Sequence, residues 1–137
     1  MDKYKLSGMV LPFNKKSCVT NVVYTKECIQ TAFNNYVKQL KDDDIIVNLS
    51  HKITALNLKD EGIYVDIELL DTEEGNHFKQ LIDNGLKLSP AIKTLSFIEE
   101  SVNHYNLIEV KEIVSIELIP QKDCPFENVD LCLIKEE

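Results

Sequence analysis

Two residues of this sequence stand where a general base and a nucleophile could be held, His51 and Ser89. His51 directly follows the short apolar run 45–49, which predicts a buried strand, and residues beyond strand ends often build functional sites. Ser89 follows a predicted helix, a glycine and a short extended segment, and Pro90 favours an extended backbone there. An imidazole and a serine hydroxyl together can perform nucleophilic acyl transfer. On these residues alone, structural roles for both side chains are favoured over catalysis.

Other common chemistries find little support in the sequence. No Gly-x-Ser-x-Gly motif is present, which argues against an α/β-hydrolase. No glycine-rich phosphate loop indicates a nucleotide, so no cofactor is expected. The cysteines are widely spaced and form no Cys-x-x-Cys pair, so we expect free thiols and no metal site. They are Cys18, Cys28, Cys124 and Cys132.

The charge and length of the chain restrict its class further. The net charge is −8, and all 15 basic residues are lysines, which argues against a nucleic-acid partner. No run approaches the roughly 18 apolar residues of a membrane span. The first residues lack the apolar stretch of a signal peptide. We therefore expect one domain over residues 1–137, located in the cytoplasm, with no membrane partner.

Hydrophobic periodicity predicts two helices among several strands. Apolar residues recur at three- and four-residue intervals over 25–40, and Thr25 is suited to cap this helix. A shorter helix is predicted over 76–84, with Gly85 placed to end it. Strands are predicted over 4–12, 45–49, 63–69 and 107–120, while 128–134 is either a strand or a helix. These elements predict an α+β fold, a mostly antiparallel β-barrel or sheet with one substantial and one short helix.

Five segments, taken in order, resemble the phage prohead (capsid maturation) serine protease family, which is related in fold to the herpesvirus assembly proteases. They span residues 6–120, and none is specific by itself. Residues 45–51 (IIVNLSH) resemble the family's strand that ends in the catalytic histidine. Residues 81–89 (LIDNGLKLS) resemble the helix, glycine and strand that carry its nucleophile. The other similar segments are 6–14 (LSGMVLPFN), 62–65 with 71–75 (GIYV and DTEEG), and 114–120 (VSIELIP).

The resemblance implies catalytic roles for named residues. Ser89 would be the nucleophile and His51 its general base. In the family, the third member of the catalytic triad is an acidic residue two positions before the serine of the closing strand. In this sequence the corresponding serine is Ser115, and Ile113 occupies the acidic position. The remaining candidates are Glu112, if the strand carries a bulge, Glu117, which lies further along the strand, and His104.

The function implied by the resemblance is a head-maturation serine endopeptidase. It would cleave phage scaffold and major capsid precursor proteins within the assembling prohead in the host cytoplasm, and it could form a homo-oligomer. Two alternatives stay open. Ile113 favours a catalytically degenerate capsid-assembly or scaffold protein of the same fold. The other alternative is an unrelated intracellular binding module, in which His51 and Ser89 need not meet.

Overall fold

The computed structural model describes residues 4–15, 22–102, 105–121 and 131–134. His104, Cys18 and Cys124 lie outside these residues, so the expectations for them stay predictions. The described elements are listed here in chain order. They are β1 (Lys5–Pro12), β2 (Val22–Val23), α1 (Lys26–Asp42), β3 (Ile45–Val47), β4 (His51–Leu58), β5 (Gly62–Leu69), α2 (Glu73–Asp83), β6 (Leu88–Val102), β7 (Tyr105–Pro120) and β8 (Leu131–Ile134).

The strands form two sheets. The larger sheet has the order β3-β4-β5-β1-β8, and all its neighbouring strands are antiparallel. The smaller sheet has the order β2-β7-β6, in which the long strands β6 and β7 are antiparallel and β2 joins β7 in parallel. The predicted α+β class is confirmed. Within the described residues the strands form two open sheets, so the barrel form of the prediction is not what this structure has.

Helix α1 forms where its apolar stripe and its cap predict. The Thr25 hydroxyl accepts a hydrogen bond from the backbone N–H of Cys28 at 3.2 Å, which satisfies one of the donors left open at a helix start. The face that carries Ile29, Phe33 and Tyr36 is buried and packs mainly against β7. The helix matches the prediction for 25–40 to within two residues at each end. No helix among the described residues has both the length and the apolar composition needed to cross a membrane.

One hydrophobic core joins the two sheets and α1. Strand β5 supplies alternate residues to it, and the predicted buried set Ile63, Val65, Ile67 and Leu69 is confirmed, with exposures of 0–4%. The smaller sheet contributes residues such as Ile116 of β7 to the same core. Each such side chain stabilises the fold by about 1.5–3 kcal/mol when it is buried. This core therefore fixes how the larger sheet sits against β7.

Several element predictions need correction, and the short extended segment predicted around Ser89 is the start of the much longer strand β6. The strand predicted over 45–49 ends at Val47, because Asn48 and Leu49 adopt left-handed backbone conformations with φ of 53° and 59°. A further strand, β4, follows at once and was not predicted. Helix α2 begins three residues earlier than predicted, since the Thr72 hydroxyl accepts from the Gly75 N–H at 3.0 Å and caps it there. The open choice for the tail is resolved as a strand at β8.

Candidate functional site

The turn between β3 and β4 places the side chains of Ser50 and His51 where the larger sheet contacts β7. It consists of Asn48, Leu49 and Ser50, and the Ser50 N–H donates to the Val47 carbonyl at 3.0 Å. The Leu49 carbonyl accepts from the Thr72 hydroxyl at 2.5 Å, and the Ser50 carbonyl accepts from the Leu70 N–H at 3.0 Å. The turn is therefore tied to the segment that leads into α2.

The His51 imidazole is fully enclosed and is bonded through both ring nitrogens. Nε2 lies 2.9 Å from the backbone carbonyl oxygen of Ile116 on β7, and Nδ1 lies 2.6 Å from the Ser50 hydroxyl oxygen. A carbonyl oxygen can only accept, so Nε2 carries the proton. In the neutral ring Nδ1 is then the bare nitrogen, and the Ser50 hydroxyl donates to it. The geometry gives a serine hydroxyl aimed at an unprotonated imidazole nitrogen.

Burial keeps this imidazole neutral. Desolvation lowers the pKa of His51 below its ordinary value of 6.5, because the charged ring would lose its hydration. The hydrogen bond to Ile116 and the negative charge of Glu117 act in the opposite direction and raise the pKa, but by less. At pH 7 the ring is therefore predominantly neutral, which is the form that a general base requires.

Glu117 is the carboxylate of this site. It is half-buried on β7, directly after Ile116, and its Oε1 accepts a hydrogen bond from the Asn48 side-chain amide at 3.3 Å. Its charge favours a protonated His51. An imidazolium formed during a reaction would thus be stabilised by Glu117.

A groove of about 750 Å³ opens beside the turn. The groove is lined by Asn48 and Ser50 of the turn, by Leu118 of β7 and by six residues of α2 within 73–80. The volume lies in the range of small-molecule and peptide side-chain sites. Asn76 and Gln80 are among the lining residues, so the groove includes amide donors and acceptors.

The structure places Ser89 at a different point. Ser89 is enclosed in β6 and lies opposite Ile119 of β7. Ile116, whose carbonyl holds the imidazole, lies opposite Ile92, three residues further along β6. Three strand residues correspond to about 10 Å. The described hydrogen bonds of the two ring nitrogens of His51 go to Ser50 and Ile116.

The three candidates for the third residue of the catalytic triad have different positions relative to His51. Strand β7 does carry the bulge that Glu112 would need, because Val114 has no partner between the pairs of Ile113 and Ser115. Glu112 nevertheless lies opposite Leu95, is exposed, and borders a cleft against α1. It stands four residues, or about 13 Å of strand, from Ile116. Glu117, which spacing ranked lower, is the carboxylate beside His51, and His104 lies outside the described residues.

Comparison with protein-family models, with curated proteins and with solved structures found no match.

The residue that the sequence interpretation missed is Ser50. In a continuous strand, neighbouring side chains point to opposite faces, so a serine directly before a histidine is not expected to contact it. The left-handed residues Asn48 and Leu49 break that alternation and bring the hydroxyl beside the ring. The sequence signal is a polar Asn-Leu-Ser segment that interrupts two apolar runs, which is typical of a turn.

The site offers oxygen and nitrogen atoms but not the cluster that a metal requires. Within the ranges that the structure describes, no group of three histidine, cysteine, aspartate or glutamate side chains comes together. Of the predicted free thiols, the structure describes Cys28, which is free and half-buried at the start of α1, some distance in sequence from the site. The chemistry that these residues can perform is acid–base and nucleophilic.

Proposed function

We propose that this chain is a serine-type endopeptidase in which His51 is the general base. The observation that carries the proposal is a neutral imidazole with a bare Nδ1, bonded to a serine hydroxyl at 2.6 Å beside a groove. A nucleophile and its base within hydrogen-bond reach, with the base oriented by a third group, are the minimal requirements of covalent acyl transfer. Here the orienting group is the Ile116 carbonyl.

The surroundings of His51 suit both halves of a proton shuttle. In the resting state, burial favours the neutral ring that can take a proton. When the ring becomes charged, the nearby Glu117 carboxylate and the Ile116 carbonyl stabilise it. The same imidazole can then return the proton to the leaving amine. These opposing effects on the two charge states support the proposal that His51 takes up and returns a proton.

The substrate class in the proposal comes from the family resemblance. Prohead proteases act on scaffold and major capsid precursor proteins inside the assembling phage head, and we propose the same substrates and location for this chain. The net charge of −8 is compatible with work inside a shell that later receives DNA, since an acidic chain competes little for nucleic acid.

The proposal is tested with a fluorophosphonate probe and a peptide-cleavage assay on the full chain. We expect the wild-type chain to form a covalent adduct and to cleave scaffold or capsid precursor protein. The His51→Gln variant keeps a polar side chain of similar size and should lose both reactions. Asn34→Ala is the control, because Asn34 is exposed on α1 and is not among the residues that line the groove. A wild-type chain that forms no adduct and cleaves nothing would contradict the proposal.

A second candidate is a catalytically degenerate capsid-assembly protein of the same type. It is favoured by Ile113, which occupies the family's acidic position, and by the complete enclosure of His51 and Ser89. Under this candidate His51 only joins the larger sheet to β7 through the Ile116 carbonyl. It predicts that neither the wild type nor any variant reacts with the probe. It also predicts that His51→Gln lowers the free energy of unfolding.

A further inference from the structure

We infer that Ser50, and not Ser89, is the nucleophile of the His51-dependent reaction. The inference rests on the proposed function, which makes His51 a general base. It adds an assignment that the sequence did not suggest, because the resemblance points to Ser89. The assignment follows from three observations, which concern the hydrogen bond, the access and the anchoring of Ser50.

The hydrogen bond identifies Ser50 as the hydroxyl that His51 can activate. Its Oγ lies 2.6 Å from His51 Nδ1 and 3.2 Å from the Val47 carbonyl oxygen, so the shorter contact takes the hydroxyl proton. Because Nε2–H is committed to Ile116, Nδ1 is the nitrogen left to accept it. The described partners of the two ring nitrogens are Ser50 and Ile116.

Access from the groove also favours Ser50 over Ser89 as the nucleophile. Ser50 lines the groove of about 750 Å³ between the turn and α2, and Ser89 is not among the residues that line it. His51 is fully enclosed and is not part of the lining, so a substrate carbonyl in this groove would meet Ser50 and not the ring. The amide groups of Asn76 and Gln80 lie on the same groove and are the kind of donor that stabilises an oxyanion.

The position of Ser50 is held from both sides. Its N–H and carbonyl are bonded to Val47 and Leu70, both at 3.0 Å. Gly75 packs against the turn so closely that an added Cβ would lie 2.9 Å from the Ser50 carbonyl oxygen. Left-handed backbone at a leucine is strained, and such strain is found where a fold must present a particular side chain. The turn thus presents Ser50 much as a sharp turn presents the nucleophile of other hydrolases.

The chemical step balances with these groups alone and water. Ser50 Oγ forms a bond to the substrate carbonyl carbon while its proton moves to His51 Nδ1. The tetrahedral intermediate collapses, the carbon–nitrogen bond breaks, and Nδ1 gives the proton to the leaving amine. Water then attacks the Ser50 ester, Nδ1 takes one proton from it, and that proton returns to Ser50 Oγ as the acid leaves.

The test maps the fluorophosphonate adduct by peptide mass spectrometry on the full wild-type chain. We expect the phosphorus on Ser50 Oγ, with fluoride as the leaving group and the hydroxyl proton taken by His51. Ser50→Ala should abolish the adduct. Ser7→Ala is the matched control and should keep it, because the Ser7 hydroxyl is bonded to the Asp66 carboxylate at 2.7 Å, away from the groove.

Each outcome of the mapping has one meaning. An adduct on Ser89 overturns the inference and leaves the serine hydrolase proposal intact. An adduct that persists in His51→Gln overturns both, because the base is then irrelevant. No adduct on any serine, together with no cleavage, overturns the proposed function itself.

A second variant keeps the inference testable if Ser50→Ala does not fold. Ser50→Cys retains the size and a donor, and a thiol beside His51 should react with iodoacetamide roughly tenfold faster at pH 7 than the same thiol in a Ser50→Cys, His51→Gln double variant. Equal alkylation rates in the two variants would mean that His51 does not activate position 50, which overturns the assignment.

Discussion

Ser50 and Ser89 are both buried serines, and the structure surrounds them in different ways. Ser89 is fully buried within β6 and lies opposite Ile119 in the smaller sheet. Ser50 lies in a left-handed turn, 2.6 Å from an imidazole nitrogen and on the wall of a groove. The comparison teaches that a hydroxyl gains reactivity from the base and the access beside it. A position in a strand motif does not supply either.

The largest expected loss of stability follows from removing the His51 imidazole, which distinguishes the surroundings of Ser50 from those of Ser89. His51→Ala leaves a cavity and strips Ser50 and Ile116 of their partner, so the free energy of unfolding should fall by about 2–5 kcal/mol. His77→Ala, at an exposed position, should change it by less than about 0.5 kcal/mol. Urea unfolding followed by circular dichroism measures both. A His51→Ala variant as stable as the wild type would show that the ring does not hold the two sheets together.

Regular elements were predictable from the sequence because their signals are local. The alternation of Ile63, Val65 and Ile67 identified β5, and the stripe and cap of 25–40 identified α1. The junction of β3 and β4 was not predictable in the same way. Its left-handed residues include Leu49, a residue type that rarely adopts this conformation, and only the polar neighbours Asn48 and Ser50 are typical of a turn.

The candidate site was predictable only in part, since it depends on how separate strands are aligned. His51 was identified by its place after a strand. Ser50 was missed because the turn reverses the expected direction of its side chain. Glu117 was ranked below Glu112 because distance along a strand was used, whereas the alignment of β7 against the turn decides which carboxylate acts electrostatically on the ring. Such alignment follows from the packing of the whole core.

A second test of the difference between the two serines disturbs the turn through its contact with α2. In Gly75→Ala the new Cβ would lie 2.0 Å from the Leu70 carbonyl oxygen and 2.9 Å from that of Ser50, so backbone must move. We expect a loss of about 3 kcal/mol in unfolding free energy and a slower reaction of Ser50 with the probe.

The control for this variant is Gly85→Ala. Gly85 has a φ of +83° but no atom within 4 Å of an added Cβ, so the loss should be about 1 kcal/mol with no change in the Ser50 reaction. If both variants lowered the probe reaction equally, the contact between α2 and the turn would not be what positions Ser50.

A smaller effect should appear in the pH dependence of stability. The pKa of His51 is lowered from 6.5 in the folded chain, so the unfolded chain binds this proton more tightly. The stabilisation from the neutral ring is therefore full above pH 6.5 and is lost as the pH falls from 6.5 toward the folded pKa. Glu117 opposes this shift and narrows the range over which it acts. Urea unfolding of the wild type and of His51→Gln between about pH 7.5 and 5, which covers most of the range in which histidine titrates, isolates the contribution. A wild-type advantage that grows toward pH 5 would contradict the lowered pKa.

The most direct measurement of the central claim is the tautomer of His51 by nitrogen-15 NMR of the folded chain at pH 7.5, about one unit above the ordinary histidine pKa. The shifts of the two ring nitrogens distinguish a protonated from a bare nitrogen. We predict a protonated Nε2 and a bare Nδ1. The Nε2–H group donates to the Ile116 carbonyl, and Nδ1 accepts a hydrogen bond from the Ser50 hydroxyl. A proton on Nδ1 would contradict the account, because Ser50 could then no longer transfer its proton to the ring.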